Sequence, residues 1–172
     1  MNLHKEEHEI VKQSTAKALF CLMERKSFSD ITVTELVKRA GIARATYYRN
    51  YSSKEAVLEE YIDDILNTFN LEYPVETVSD RFTARHILRV LDYVSRYHKD
   101  LQILHKSGLS SIYLDRMNQY LFKIAFNGSS GMEEKFDLYA YAGAEFNIIF
   151  SWLINDMKES PYEIADYIGR HR

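Results

Sequence analysis

The sequence predicts an all-α chain, with a small N-terminal helix-turn-helix domain and a larger helical domain behind it. Three observations carry this reading. Proline occurs only at Pro74 and Pro161 and glycine is sparse, so few positions break a helix. An apolar period close to that of an α-helix recurs along nearly the whole chain. Between Phe28 and Leu58, a capped short helix, a glycine turn and a short basic, aromatic helix follow one another at tight spacing.

The first helix is expected from about Lys5 to Arg25, with Ile10, Val11, Ala16, Leu19, Phe20, Leu22 and Met23 as a broad apolar face. Thr32 is a good N-cap, because its hydroxyl can accept a backbone N–H that has no helical partner. Glu35, three residues on, completes a capping box. The second helix then runs from Val33 to Ala40 and buries Leu36 and Val37. Gly41 fits the left-handed position that ends it. The third helix spans about Arg44 to Tyr51. Ser52 and Glu55 read as a second capping box, opening a fourth helix that reaches about Asn70. Leu71 to Asp80 contains Pro74 and reads as a connection. Helices are expected at about 83–97, 99–106 and 109–126, then a loop at Asn127–Gly131 and a long helix at about 133–158. Ser160, Pro161 and Glu163 together signal the start of a last one.

At 172 residues the chain is long enough for one or two domains with real cores. The longest apolar runs are too short to span a bilayer, and Met1–Ile10 is too polar and acidic for a signal or transit peptide. Cys21 is the only cysteine, which excludes an internal disulfide and suits a cytoplasmic protein. The net charge is −3, but its distribution is uneven: residues 1–54 hold 10 Lys and Arg against 6 Asp and Glu, and residues 55–172 hold 12 against 19. The basic excess lies with the helix-turn-helix, and a local field matters more than the total. The expected domains are therefore 1–54 and 55–172.

No nucleophile elbow, phosphate loop, dinucleotide fingerprint or zinc-protease motif is present. His86, His98 and His105 have no His or Cys at helical ligand spacing, so no metal site and no cofactor is expected, and an enzyme is not the reading. Cys21 reads as a small core residue.

On the third helix, Tyr47 and Tyr51 share one face, while Arg44 with Tyr48 and Ala45 with Arg49 share the other. If the tyrosines pack inward, two arginines, a tyrosine and an alanine point out. Arginine pairs bidentately with guanine, alanine touches a thymine methyl, and a tyrosine hydroxyl reaches a phosphate. Thr46, Asn50 and Lys54 are placed to hold the backbone of double-stranded DNA.

The string TVTELVKRAGIARATYYRNYSSKEAVL resembles the N-terminal DNA-binding domain of TetR-type bacterial regulators. The matching positions are Thr32, Ala40-Gly41, Thr46, Tyr47, Tyr48, Tyr51 and Ser53-Lys54-Glu55, and the resemblance covers about residues 8–62. It implies Thr34, Arg44, Ala45 and Arg49 as groove readers, and Thr46, Tyr48, Asn50 and Lys54 as phosphate holders. Thr32, which opens the segment, is counted among the DNA-binding residues. Ala43 stands where the family often has Ser, which weakens that helix cap by about 1 kcal/mol.

In the second domain, Phe136, Tyr139, Gly143, Phe146, Phe150, Leu153 and Met157 repeat at alternating three and four, as a helix-packing seam does. With Ile164 and Ile168 they are the expected homodimer interface, an arrangement that the resemblance also implies. Leu138, Tyr141, Ile149 and Trp152 make a second stripe that faces the chain's own domain. The resemblance further implies a pocket for a small-molecule effector in the central region, with Tyr61, Phe69, His86, Tyr93, Leu104, Tyr113, Met117 and Tyr120 as lining. The functional expectation is a homodimeric transcriptional repressor released from a palindromic operator by a small effector. The alternative is an activator, or a protein-recruiting DNA-binding adaptor without a small ligand.

Overall fold

The computed structural model describes residues 3–75, 77, 79–125 and 131–170. Among these the chain is helical throughout, without a strand: α1 Leu3–Met23, α2 Val33–Ala40, α3 Arg44–Asn50, α4 Lys54–Glu72, α5 Ala84–Ser95, α6 His98–Lys106, α7 Ser110–Ala125, α8 Met132–Ile154 and α9 Pro161–Arg170. Short 3-10 turns lie at Phe28–Asp30 and Ser79–Phe82. The expected loop at 127–130 lies outside the described residues. Among the described residues, no helix is long and apolar enough to cross a membrane.

The chain forms two compact units, Met1–Ile62 and Asp63–Arg172. This division falls later than the boundary read from charge at 54/55. The reason is that the first turns of α4 bury Val57, Leu58 and Ile62, and those residues complete the first unit's apolar core.

In the first unit, α1 packs on α2 and α2 on α3. The core holds Ala16, Leu19, Phe20 and Met23 of α1 with Leu36 and Val37 of α2. Ile10 departs from the expected apolar face: it is 66% exposed. Cys21 is half-buried rather than core, and its sulfur accepts a hydrogen bond from the Arg39 guanidinium. The capping box forms as read. Thr32 Oγ1 accepts from Glu35 N at 3.2 Å, and Glu35 Oε2 accepts from Thr32 N at 2.9 Å. The hydrogen bond from Lys26 and those from Thr32 push the Glu35 carboxyl down to about 2. Gly41 ends α2 with φ 70°, where a Cβ would be strained although nothing crowds it.

The cap of α4 corrects the sequence reading. Ser53, not Ser52, accepts the free N–H, that of Ala56, at 3.2 Å, so the helix starts one residue later than a Ser52–Glu55 box requires.

In the second unit, α8 packs on α5, α6 and α7, while α9 packs on α5. Gly169 allows that last approach, since a Cβ there would stand 2.8 Å from the Cβ of Ala84. Arg116 of α7 holds Asp63 with two N–H groups, one at 2.9 Å. The α9 box forms between Ser160 and Glu163, with hydrogen bonds of 2.8 and 3.2 Å. The expected end of the long helix near Lys158 is corrected to Ile154. Asp156 and Met157 take φ of 56° and 53°, and Trp152 Nε1 and Gln102 Nε2 donate to the carbonyls of Glu159 and Leu153. The helix ends there because the Met157 and Asp156 N–H groups close on the carbonyls of Trp152 and Leu153, at 2.9 and 3.3 Å.

Replacing Gly41 by alanine adds no clash but retains the left-handed backbone. Urea titration of the variant is expected to show a loss of about 1 kcal/mol. An unchanged midpoint would mean that the turn relaxes without strain.

Candidate functional site

The geometry of α3 follows from Tyr47 and from Tyr51, the extended residue that closes its C-terminal end. Tyr47 and Tyr51 are buried, their rings 5.6 Å apart, and Tyr51 Oη donates to Glu60 at 2.6 Å. Burial, with the charges of Tyr48 and Glu55 nearby, raises the Tyr47 phenol above its ordinary value. One face of the helix is thereby fixed inward. The opposite face carries Arg44, Ala45, Tyr48, Arg49 and Asn50, all exposed, with Tyr48 at 53%. Thr46 is half-buried at the edge.

The cationic side chains are held by neutral groups. Arg44 donates to Tyr48 Oη at 3.2 Å and to Thr34 Oγ1 at 3.4 Å, and its guanidinium carbon sits 5.5 Å from the Tyr48 ring centre. Arg49 donates to Thr46 Oγ1 at 3.2 Å. Such contacts orient a guanidinium without neutralising it, which leaves its charge for an anionic or acceptor-rich partner. Asn50 Nδ2 donates to the Thr46 carbonyl at 2.7 Å.

Two of the sequence-selected residues are engaged elsewhere. The Thr32 hydroxyl belongs to the capping box and also donates to Glu35 at 2.8 Å. Lys54 is turned to the protein: its ammonium donates to the carbonyls of Phe28 and Ile31, both at 2.6 Å, and lies 4.6 Å from the Phe28 ring centre. It clamps the turn before α2 to the start of α4.

The sequence reading did not select the N-terminal part of α1. Glu7, His8, Ile10 and Val11 line an open groove of about 510 Å³ together with Thr46, Arg49 and Asn50. The sequence offered no signal for it, since Ile10 reads there as part of the apolar face.

The residues expected to line a pocket do not form one group. Tyr61 belongs to the first unit, with its ring 4.9 Å from that of Phe20. Phe69, His86 and Tyr93 form a cluster in the second unit, with ring centres 5.5 and 5.3 Å from Phe69. Leu104, Tyr113 and Met117 are buried, with the Tyr113 ring 5.5 Å from Phe150. Tyr120 is half-buried.

Three residues not selected as site residues from sequence organise this region: Arg81, Glu145 and Tyr141, the last read only as part of a packing stripe. His86 Nε2 and Tyr141 Oη are 3.0 Å apart, and Tyr141 hydrogen-bonds Glu145. Burial pushes the Glu145 carboxyl up to about 7, against the Tyr141 hydrogen bond and the Arg81 charge. Burial, then the charges of Arg81 and Arg89, pulls His86 down to about 4, with Asp80 opposing. A lone acid inside the apolar run AYAGAEFNIIF was the sequence signal for Glu145. Arg81 lay between the stretch read as connection, Leu71 to Asp80, and the helix expected from about Thr83. Among the described residues, no group of His, Cys, Asp and Glu is placed to hold a metal ion.

The expected dimer stripe splits. Phe136 is 59% exposed and Tyr139 is also exposed, while Gly143, Phe146, Ile164 and Ile168 are half-buried. Phe150 and Leu153 are buried within their own unit, and Met157 lies beyond the end of α8. Phe150 and Leu153 are corrections, because packing on α6 and α7 covers the C-terminal half of the stripe within its own unit, while Met157 leaves the stripe because α8 ends at Ile154. Met132 and Ile154 of α8, and Tyr162 and Tyr167 of α9, are exposed instead.

Residues 17–61 match the family of bacterial regulatory proteins, tetR family. Over these residues the chain carries a domain similar to the DNA-binding domain of TetR-type regulators. The matched stretch contains α2, α3 and the start of α4, the elements that hold the exposed arginines. The HTH-type transcriptional regulator EthR of Mycolicibacterium smegmatis is 49% identical over 45 residues, 26% of this chain and 21% of that protein. The chain thus spans about a fifth of the length of the curated relatives it matches. Over nearly the whole chain the fold is that of Lin0861 from Listeria innocua, with a TM-score of 0.70, 17% identity, and 99% and 92% of the two chains covered. A TetR transcriptional regulator from Rhodococcus sp. RHA1 aligns with a TM-score of 0.59 and 20% identity, over 96% and 93%. Beyond the matched domain, the chain therefore shares the all-helical fold of these structures.

Two predictions follow from this geometry. Lys54→Ala is expected to lower stability by about 2 kcal/mol through two charge-assisted hydrogen bonds, while Arg49→Ala leaves stability unchanged. Equal urea midpoints for the two variants would remove the clamp.

The second prediction concerns pH. The folded Glu145 titrates near 7, above the ordinary 4.5, so its stabilising contribution is complete below 4.5 and lost as pH rises through 7. His86 is depressed from 6.5 to about 4, so its contribution is present above 6.5 and lost as pH falls. The two oppose each other between these limits. Glu145→Gln removes the first alone, so the melting temperature of the variant should gain on the parent between about pH 5 and about pH 8. Parallel pH profiles would refute this assignment.

Proposed function

We propose that this chain is a sequence-specific DNA-binding transcriptional regulator that acts as a homodimer. In this reading it is a repressor, released from a palindromic operator by a small effector bound in the second unit. The observation that carries the reading is the outward face of α3. Arg44 and Arg49 stand exposed on neutral hydroxyl partners, on a helix whose other face is locked by Tyr47 and Tyr51. A short helix so held fits the major groove, and the two arginines suit guanine edges.

Arg44, Ala45, Arg49 and Thr34 read bases in this proposal. Thr46, Tyr48 and Asn50 hold phosphates, and the groove beside Arg49 brings His8 of α1 to the same surface. Thr32 and Lys54 support the reading head from inside. Two such heads about 34 Å apart reach successive major grooves, which makes a symmetric operator the natural target. The exposed Phe136 and Tyr139 of α8, with Tyr162 of α9, are the surface assigned to the second copy. An effector that favours another separation of the heads weakens operator binding by its preference for that state. The assigned location is the cytoplasm, where the operator is.

The test is selection of binding sites from random DNA by the purified chain, beside Arg44→Ala and Arg49→Ala. The expected result is a two-fold symmetric site, with each variant weakening binding to it by about tenfold and relaxing the base preference at its own position. Sequence-blind binding, indifferent to both substitutions, would sink the proposal.

A further inference from the structure

Among the described residues, the second unit holds four polar atoms that are buried and find no hydrogen-bond partner, Arg81 Nε, His86 Nδ1, His105 Nδ1 and Tyr120 Oη, and three of them, on Arg81, His86 and Tyr120, share the field of one guanidinium. Arg81 is 6% exposed and His86 2%. Their side chains belong to one electrostatic cluster, since the Arg81 charge acts on His86, Tyr120, Tyr141 and Glu145 alike. A buried polar atom without a partner is disfavoured by about 1–3 kcal/mol. Arg81 Nε, with His86 Nδ1 and Tyr120 Oη in the field of the same guanidinium, makes a prepared set of contacts.

The hydrogen-bond chain determines what these contacts can bind. Tyr141 stands between Glu145 and His86 Nε2. When Glu145 is ionised, Tyr141 donates to it, His86 Nε2–H donates to Tyr141, and Nδ1 is left as an acceptor. When Glu145 is protonated, the chain reverses: Glu145 donates to Tyr141, Tyr141 donates to Nε2, and Nδ1 carries a proton. In the second state Arg81 Nε–H, His86 Nδ1–H and Tyr120 O–H are all donors. Three donors and one buried cation match a carboxylate, which only accepts. Aromatic rings surround the polar end, with Phe82 5.1 Å from Tyr141 and Phe69 5.5 Å from His86.

We propose that Arg81, His86 and Tyr120 bind the carboxylate of a small organic acid with an apolar body, and that Glu145 takes up a proton from solvent when it binds. The ligand carboxylate replaces Glu145 as counter-ion to Arg81, so the buried charge stays balanced. The other titratable groups around Glu145 are Tyr113 of α7 and Tyr141 of its own helix, with Asp80 and Arg89 acting beyond His86. The inference rests on the reading of the second unit as the effector-binding part.

The test is calorimetric titration of the full chain, without DNA, with octanoate and benzoate against 1-octanol and benzyl alcohol. Titrations at about pH 7.5 in phosphate and in Tris, buffers of different ionisation heat, report proton uptake. At least one acid is expected to bind about tenfold more tightly than its alcohol, with proton uptake. Tyr120→Phe should weaken that acid by about three- to tenfold, whereas Glu145→Gln should bind it without taking up a proton. Alcohols binding as well as acids, or neither acid binding below about 10 mM, would overturn the site and leave ordered water on the three atoms. Unchanged proton uptake in Glu145→Gln would overturn the role of Glu145. A symmetric operator with no acid binding fails this inference alone. Acid binding without operator selection fails the regulator reading and leaves the site standing.

Discussion

The burial of Tyr47 and Tyr51 is the constraint on which the reading surface depends. A helix of seven residues has little stability of its own, because nucleation is unfavourable and few hydrogen bonds follow it. Here it also lacks a side-chain N-cap, since Ala43 has no acceptor to offer. Two aromatic rings in the first unit's core replace what the cap would contribute. They also set the rotation of the helix, and with it the direction of every other side chain. Arg44 and Arg49 are exposed because Tyr47 and Tyr51 cannot be.

Around that anchor, polar groups divide into those that shape the head and those left to act outward. Thr32 and Glu35 close the start of α2, Lys26 ties to Glu35 at 2.7 Å, and Lys54 bridges two carbonyls of the preceding turn. These partners are charged or backbone groups and are fully engaged in the fold. Among the described residues, the hydrogen-bond partners of Arg44 and Arg49 are hydroxyls. The difference in partner, more than any difference in residue type, separates a structural cation from one available to a ligand.

The second unit follows another logic. Its long helix α8 is apolar enough to be core on most sides, yet it carries Glu145 at a buried position. Burying an acid beside an arginine is tolerable when the pair is hydrogen-bonded or when the acid can take a proton. Both routes are open here: Tyr141 supplies the hydrogen bond, and the raised titration point brings protonation within reach near neutral pH. A buried group that can change charge without unfolding its surroundings is a natural place for chemistry to couple to structure.

Local signals were legible in the sequence wherever a short stretch decides its own conformation. The Thr32–Glu35 and Ser160–Glu163 boxes, the left-handed Gly41 and the two faces of α3 all depend on residues within one or two helical turns. Ser53 displaced Ser52 as a cap because neighbouring serines offer the same chemistry, and only the path of the chain chooses between them. Tertiary packing decided the rest. It turned Phe150 and Leu153 inward, ended α8 before Met157, set the half-buried Tyr61 against Phe20 in the first unit and directed Lys54 to backbone carbonyls. It also brought Arg81, His86, Tyr141 and Glu145 together from three separate elements. A helical period states that a residue lies on an apolar face. Which neighbour covers that face depends on contacts between residues far apart in the chain, and those exist only once the helices have packed.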